Sequence, residues 1–400
     1  MKIIEVNDKK TDLQFLDVVK LIYKNDKNYV RPLDAQIREI FDPKQNEFFK
    51  HGKATRFILL DDNNKTIGRI GAFINDKKAF GFDQPTGGCG FFECINDQQS
   101  ANMLFDAAKD WLSERGMQAM DGPINFGEND NFWGLLVDGF TPPAIGMQYN
   151  PPYYKILFET YGFNFYFEQV TNNLDLTKPF PERFWKIAEW VAKKPEFRIE
   201  HFTFKNAAKY MNDLMEVYQA AWEFHENFKP MSEEDVQTKL KDMKSYLIED
   251  FVWFAYAGDE PIAFLVMLPD LNQVIKHMNG KLNLCTKLKF AYYKYTKAIT
   301  RARIVIMGVK PKYQKIGIES AIFWNMDKAM QHHKEFTDIE LSWVGDFNPK
   351  MRALHESVGA VFAKRHITYR CLFDQTKEYR RSTIIPVDTK EKVIQKEKNS

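Results

Sequence analysis

Between residues 304 and 324 the chain reads IVIMGVKPKYQKIGIESAIFW. An apolar run of strand character, 304–309, passes through a short turn into an amphipathic helix opened by Gly317. First-turn N–H groups of such a helix have no partner within it, and the helix dipole adds positive potential there. A pyrophosphate fits such a place. Lys310, Lys312 and Lys315 add charge to the turn. By spacing alone this is a general anion site, a junction that many α/β chains contain. The His, Cys, Asp and Glu residues form no group with metal-ligand spacing, so no metal is expected. His332 and His333 read as helix-end residues. Cys89, Cys94, Cys285 and Cys371 match no zinc or redox pattern and read as reduced thiols of a cytoplasmic protein.

The elements that must hold this turn follow from hydrophobic periodicity. In the C-terminal half it predicts a strand over 197–204, helices over 206–222 and 232–246, and a hairpin of 251–257 with 262–268. After the strand at 304–309 come a helix over 317–333, a strand over 338–344, a helix over 348–360 and a last strand over 366–373. The N-terminal half runs in similar order: a strand at 2–6, a helix at 12–24, a hairpin of 56–60 with 66–74, and a strand at 90–95. A helix at 98–115, a strand at 117–124, a short helix before Gly162 and a closing strand complete it. At 400 residues the chain exceeds one ordinary core. The expected organisation is a first domain over 1–178, a linking helix within 179–196, a second domain over 197–373, and a charged, disordered tail over 374–400.

The turn has a closer likeness. Gln314-Lys315-Ile316-Gly317-Ile318-Glu319 resembles the acyl-CoA-binding motif of GNAT acyltransferases, Gln/Arg-x-x-Gly-x-Gly/Ala, matching at Gln314 and Gly317 and departing at Glu319. Further on, Asn348, Met351, His355, Gly359 and Ala360 fall where GNAT proteins often carry Asn-x-x-Ala-x-x-x-Tyr-x-x-x-Gly-Phe, with Asn and Gly kept. The N-terminal half keeps Asn150, Tyr153, Tyr154, Gly162 and Phe163 of the second motif, and its turn NDQQSAN has no glycine. The whole chain resembles bacterial tandem-GNAT proteins of poorly defined function through the phrases NYVRPLDAQ, NEFFKHGKATRFIL, GPINFGENDNFWGLLVDGF and NPPYY. The resemblance implies an α/β (α+β) fold of two tandem GNAT-like domains, each a mixed, mostly antiparallel sheet flanked by helices. It implies a degenerate first domain, and acetyl-CoA or a longer acyl-CoA as co-substrate in the second.

In that frame the strand segment Met307-Gly308-Val309 would offer a backbone N–H to the thioester oxygen, with Gly308 marking a bulge. Gln314, Lys315, Ile316, Gly317, Ile318, Glu319 and Asn348 complete the expected cofactor site. Glu340 would act as general base, sharing a strand face with Ser342, unless it simply faces solvent. His355 stands at the place of the family's proton-donating tyrosine, and an imidazole suits proton transfer at neutral pH. A polar loop brings Asn125, Glu128 and Asn129 near Tyr153 and Tyr154; it lines the acceptor site or holds a loop shape by Asx turns.

The acceptor is read as an unidentified amine. The segment 270–303 carries eight Lys and Arg residues against a single acid, Asp270, interleaved with apolar and tyrosine side chains. Such a helix either packs onto the other domain or lies on an anionic membrane surface, covering a lipid-like acceptor reached from the inner leaflet. The formal net charge of +2 gives no support to nucleic-acid binding. Aminoacyl-tRNA-dependent transfer and non-catalytic acyl-CoA sensing are the alternative readings.

Overall fold

The computed structural model describes residues 1–127, 129, 131–223 and 233–382, without the side chains of 233–235, 239 and 242. Glu128 and the tail beyond Ser382 lie outside the described residues. In chain order the first elements are β1 (Lys2–Glu5), α1 (Lys9–Asp17), α2 (Val19–Ile22), α3 (Asp34–Ile40), β2 (Gly52–Leu60), β3 (Thr66–Asn75), α4 (Asp76–Ala79) and β4 (Thr86–Cys94). Next come α5 (Gln98–Ser113), β5 (Ala119–Gly122), β6 (Leu135–Asp138), α6 (Tyr154–Tyr161) and β7 (Asn164–Asp175). Then follow α7 (Glu182–Ala192), β8 (Phe197–His201), α8 (Ala207–Trp222), α9 (Glu233–Met243), β9 (Val252–Ala257), β10 (Glu260–Pro269), α10 (Asn272–Ile275) and α11 (Leu284–Tyr295). The chain continues with β11 (Arg301–Val309), α12 (Ile318–Met330), β12 (Asp338–Glu340), β13 (Val344–Gly345), α13 (Pro349–Ser357) and β14 (Val361–Leu372).

Two compact units are drawn from non-consecutive stretches. One comprises Met1–Val170, Asn272–Tyr295 and Lys364–Ser382; the other comprises Thr171–Leu271 and Thr296–Ala363 among the described residues. The segment 272–295 therefore belongs to the first unit, and α7, expected as a linker, belongs to the second.

In the first unit β1 to β4 run antiparallel, β4 and β5 pair in parallel, and β14 closes antiparallel on β5. Alternation along β2 sends Leu59 to one face and Ile58 to the other. The Leu59 face packs on α5 and α6 through Leu104, Phe105, Leu112 and Phe158, with Phe92 stacked on Phe105 at 4.6 Å. Residues 374–377 form a turn, the Lys377 N–H donating to the Asp374 carbonyl at 3.2 Å, and the Tyr379 hydroxyl donates to the Phe165 carbonyl at 2.6 Å. That corrects the disordered-tail expectation for 374–382.

The second unit repeats the plan: β8, β9, β10 and β11 run antiparallel, β11 and β12 pair in parallel, and residues 173–175 of β7 close antiparallel on β12. Its sheet is apolar on both faces. Ala263, Leu265, Ala302 and Ile339 face α7 and α12, while Phe254, Phe264 and Val266 face α8.

Candidate active site

The site grows from the way β11 and β12 part. They pair only at Arg301 with Asp338, Ala302 with Ile339, and Arg303 with Glu340. β12 then ends, and the Leu341 N–H bonds to the Asn172 carbonyl at 2.8 Å. β11 continues to Val309 with β10 on its other edge. The Lys310 N–H bonds to the Ile262 carbonyl, so by antiparallel alternation Gly308 also bonds toward β10. The N–H groups of Met307 and Val309 therefore aim into the gap between the parting strands. A thioester oxygen lying in that wedge would meet them.

The turn that follows has a form that would suit an anion. Gly317 takes φ +87° as the residue before α12 and offers no side-chain cap; of the first-turn N–H groups, that of Glu319 is engaged by its own carboxyl, which leaves those of Ile318 and Ser320 for a ligand. Lys315 is also left-handed, at φ +72°. The Gln314 amide bonds back to the Val309 carbonyl at 3.1 Å, strapping the turn to the strand end. Lys312 and Lys315 are exposed. Lys310 takes no part in this: its ammonium is held by Glu216 at 2.5 Å and Glu260 at 3.1 Å. Sequence reasoning missed Lys350, whose ammonium donates to the Gln314 side-chain oxygen Oε1 at 3.4 Å. Only the return of α13 beside the turn brings it there. Glu319 is partly buried, and that burial raises its carboxyl above the ordinary value, opposed by its own N–H and by Lys350. A raised pKa lessens its conflict with a bound phosphate. Ile316 is partly exposed beside the turn, and Ile318 is buried in the core.

Two expected features move. The register shift in β11 falls at Val305, between the pairs Val266–Ile306 and Met267–Ile304, and not at Gly308. Gly308 is needed because a Cβ there would collide with the Trp222 ring. Ser342 does not share a strand face with Glu340, because β12 stops at Glu340. Asn348 caps α13, accepting from the Met351 N–H at 3.4 Å, which gives it a structural task.

Neither Glu340 nor His355 is a surface residue: they are 1% and 3% exposed. Glu340 lies 3.7 Å from the Arg301 guanidinium, which also bonds Asp338 at 2.7 Å. His355 accepts at Nδ1 from the Asn172 side-chain amide at 3.2 Å, leaving the ring proton on Nε2. Burial pushes its pKa down to about 4, so the ring is neutral at pH 7. Consecutive residues Asn172 and Asn173 point to opposite faces, the first to His355 and the second to Asp338 on the Arg301 side. His355 and Glu340 therefore occupy opposite faces of the sheet at the place where it opens.

The corresponding place in the first unit is shut. β4 and β5 pair from Thr86 to Gly88 and part in the same way. The gap is filled by the chain after β5, where the Ile124 N–H bonds to the Cys89 carbonyl at 2.8 Å. A Cβ on Gly90 would fall on the Ile124 carbonyl oxygen, so glycine is what lets this plug seat. The start of α5 is already capped: the Asp97 carboxylate accepts from the Ser100 N–H at 2.8 Å and its hydroxyl at 2.6 Å. Tyr154 is 1% exposed, its hydroxyl donating to Glu93 at 2.8 Å and accepting from the Cys94 N–H at 2.8 Å. The Tyr153 hydroxyl donates to the Cys94 carbonyl at 2.7 Å. These tyrosines pin α6 to β4 and do not line an open acceptor site. Asn125 is buried, its Oδ1 without a hydrogen-bond partner among the described residues, and Asn129 is half-buried.

Among solved structures, a tandem GNAT protein from the clavulanic acid biosynthesis pathway superposes with TM-score 0.55, 94% of this chain and 99% of that one, at 10% identity. The tandem GNAT fold is the fold of this chain. A GCN5-related N-acetyltransferase from Sphaerobacter thermophilus gives TM-score 0.51 over 95% and 98% of the two chains, at 9% identity. Two sequence relatives align over 368 residues. "Bacterial ceramide synthase" of Caulobacter vibrioides is 29% identical, over 89% of this chain and 93% of its own. "Protein YghO" of Escherichia coli is 27% identical, over 90% and 93%. No protein-family model matches the chain. Among the described residues of this tandem GNAT fold, no three His, Cys, Asp or Glu side chains are grouped for a metal, and no helix is long and apolar enough to cross a membrane.

Proposed function

We propose that the chain is an acyl-CoA-dependent N-acyltransferase whose acceptor is an amphipathic, long-chain amine. The observation that carries the transfer chemistry is the uncapped start of α12 at the mouth of the β11–β12 wedge, against the capped and plugged equivalent in the first unit. Acyl-CoA supplies the acyl group already activated as a thioester. The N–H groups of Ile318 and Ser320 in the first turn of α12, with Lys315 and Lys350, would hold its pyrophosphate. The N–H groups of Met307 and Val309 would stabilise charge developing on the thioester oxygen. Glu340, on one face, would take the proton of the attacking amine, directly or through water. His355, on the other face, would donate a hydrogen bond from Nε2 to the departing sulfur. Because burial keeps the ring neutral, it enters as a hydrogen-bond donor and not as an imidazolium acid.

The acceptor class is drawn from the relative called a ceramide synthase, which aligns along nearly the whole of both chains. A ceramide is an N-acylated long-chain amino alcohol. The test is thiol release and amide formation, followed by a thiol reagent and mass spectrometry, with purified protein, acyl-CoA of several chain lengths, and either sphinganine or hydrophilic amines. Sphinganine-dependent thiol release is expected. Release only with hydrophilic amines would remove the acceptor class, and no release with any amine would remove the enzymatic reading.

A further inference from the structure

The helix α11 is exposed in a pattern that the transfer reaction does not use. Its base is fixed within the first unit: the Asp34 N–H bonds to the Gly280 carbonyl at 2.7 Å, and the Asn272 amide bonds to the Pro143 carbonyl at 3.0 Å. Its start is closed by Asn283 and Thr286, which accept each other's backbone N–H at 3.0 and 2.8 Å. His277 stacks on Tyr293 at 4.7 Å. The helix is thus held in place, and yet Leu284, Leu288, Tyr292 and Tyr295 are 74%, 64%, 63% and 89% exposed.

The positions around the axis explain the pattern. At about 100° per residue, with Leu284 at zero, Tyr295, Leu288 and Tyr292 fall at about 20°, 40° and 80°. Thr286, Phe290 and Tyr293, the buried and half-buried residues, fall at about 180–240°. Lys289 lies at about 140°, and Lys287 and Lys294 at about 280–300°. The inner face packs, the outer face is apolar, and lysines stand along both borders. Lys276, Lys281, Lys287, Lys289 and Lys294 are exposed, and the segment 272–295 contains no Asp or Glu. Leu282, 54% exposed, extends the apolar face just before the helix.

We infer that α11 is a docking face for an anionic lipid bilayer, lying in its surface with the leucines and tyrosines among the acyl chains and the lysines at the phosphates. The charge decides the occupant. A second copy of this chain would bring five lysines against five lysines, whereas a phosphate surface neutralises them. The apolar stripe is too short to span, and it suits a helix lying in the surface. The inference stands apart from the acyl-transfer reading, because vesicle binding needs no turnover.

The experiment is flotation of the full chain with phosphatidylglycerol-containing or pure phosphatidylcholine vesicles, at low and high salt. A polarity-sensitive fluorophore on Cys285 gives a second readout, since the other three cysteines are buried. Binding to phosphatidylglycerol vesicles at low salt is expected, with a blue shift of the probe. Leu284→Glu with Leu288→Glu, and separately Lys287→Glu with Lys289→Glu, should each lower the partition coefficient by about tenfold or more. Their thermal midpoints should stay unchanged, because these side chains are exposed. No binding to phosphatidylglycerol vesicles at low salt overturns the proposal, as does equal binding by both variants. A wild-type dimer in gel filtration that Leu288→Glu dissociates also overturns it.

Discussion

Replacing His355 by glutamine should remove an acid-side instability of the second unit. The wild-type ring is buried and its pKa is pushed from an ordinary 6.5 down to about 4 by loss of water. The unfolded chain therefore takes up this proton more readily than the folded one between those values. Stability rises with pH wherever the unfolded state binds more protons, so this penalty is absent above pH 6.5 and grows as pH falls toward 4. With about 1.4 kcal/mol per pH unit, the gap from 6.5 to about 4 gives a loss of about 2 kcal/mol by pH 5 and about 3 kcal/mol by pH 4. The substituted glutamine cannot titrate and retains a group for Asn172 to bond. Urea unfolding of both proteins at pH 7.5 and pH 5 isolates the effect, because contributions from the other seven of the eight histidines cancel in the difference. The variant should lose about 2 kcal/mol less than wild type on acidification. Parallel losses, or an NMR titration placing His355 within a unit of 6.5, would refute the burial argument and restore the imidazolium acid.

Gly317→Glu should abolish acyl-CoA binding in calorimetry, since φ +87° disfavours any side chain and a carboxylate would occupy the phosphate position; wild-type affinity in the variant would displace the site. Asp97→Ala should cost about 1 kcal/mol of stability by uncapping α5 and leave CoA affinity unchanged, because the first unit is plugged at Ile124; a large loss of affinity would place a CoA site there. Tyr154→Phe should destabilise by about 1–3 kcal/mol through the orphaned Cys94 N–H and the lost bond to Glu93, which keeps Arg69, with KM for the amine unchanged; a KM effect without destabilisation would return Tyr154 to the acceptor site. Glu340→Gln should lower kcat by about a hundredfold or more with acyl-CoA affinity retained, if the carboxylate takes the amine proton; full turnover would assign Glu340 a structural charge role beside Arg301.

What the sequence displayed and what it hid divide along physical lines. The strand, turn and helix around Gly317 could be read because each step is local: an apolar run, a left-handed glycine, a 3.6-residue period. The glycine-free turn before α5 led the sequence reading to a degenerate first domain, while Asp97 as the cap of α5 and Ile124 as the plug needed coordinates. Glu340 and His355 were singled out by position, but their burial was hidden. A single carboxylate in DIELSW or histidine in NPKMRALHES carries no mark of what packs over it. Lys350 and the bulge at Val305 are products of tertiary neighbours and strand register, which periodicity does not encode. The least legible feature was membership. Residues 272–295 and 364–382 join the first unit because their partners lie far away in the chain, as β14 does with β5.

That last pairing has a consequence for the order in which the protein can be made. β5 ends at Gly122 and its antiparallel neighbour begins at Val361, so a ribosome must add well over two hundred residues before the two can meet. The second unit, whose described parts end at Ala363, can close first although it is encoded later. Until then the nascent first unit carries a bare sheet edge along Ala119–Gly122, a template for pairing with another nascent chain. Fragments cut between the two halves would inherit that edge permanently. Co-expressing residues 1–178 with 179–400 should rescue what expressing 1–178 alone leaves insoluble, because only the longer partner brings the missing strand.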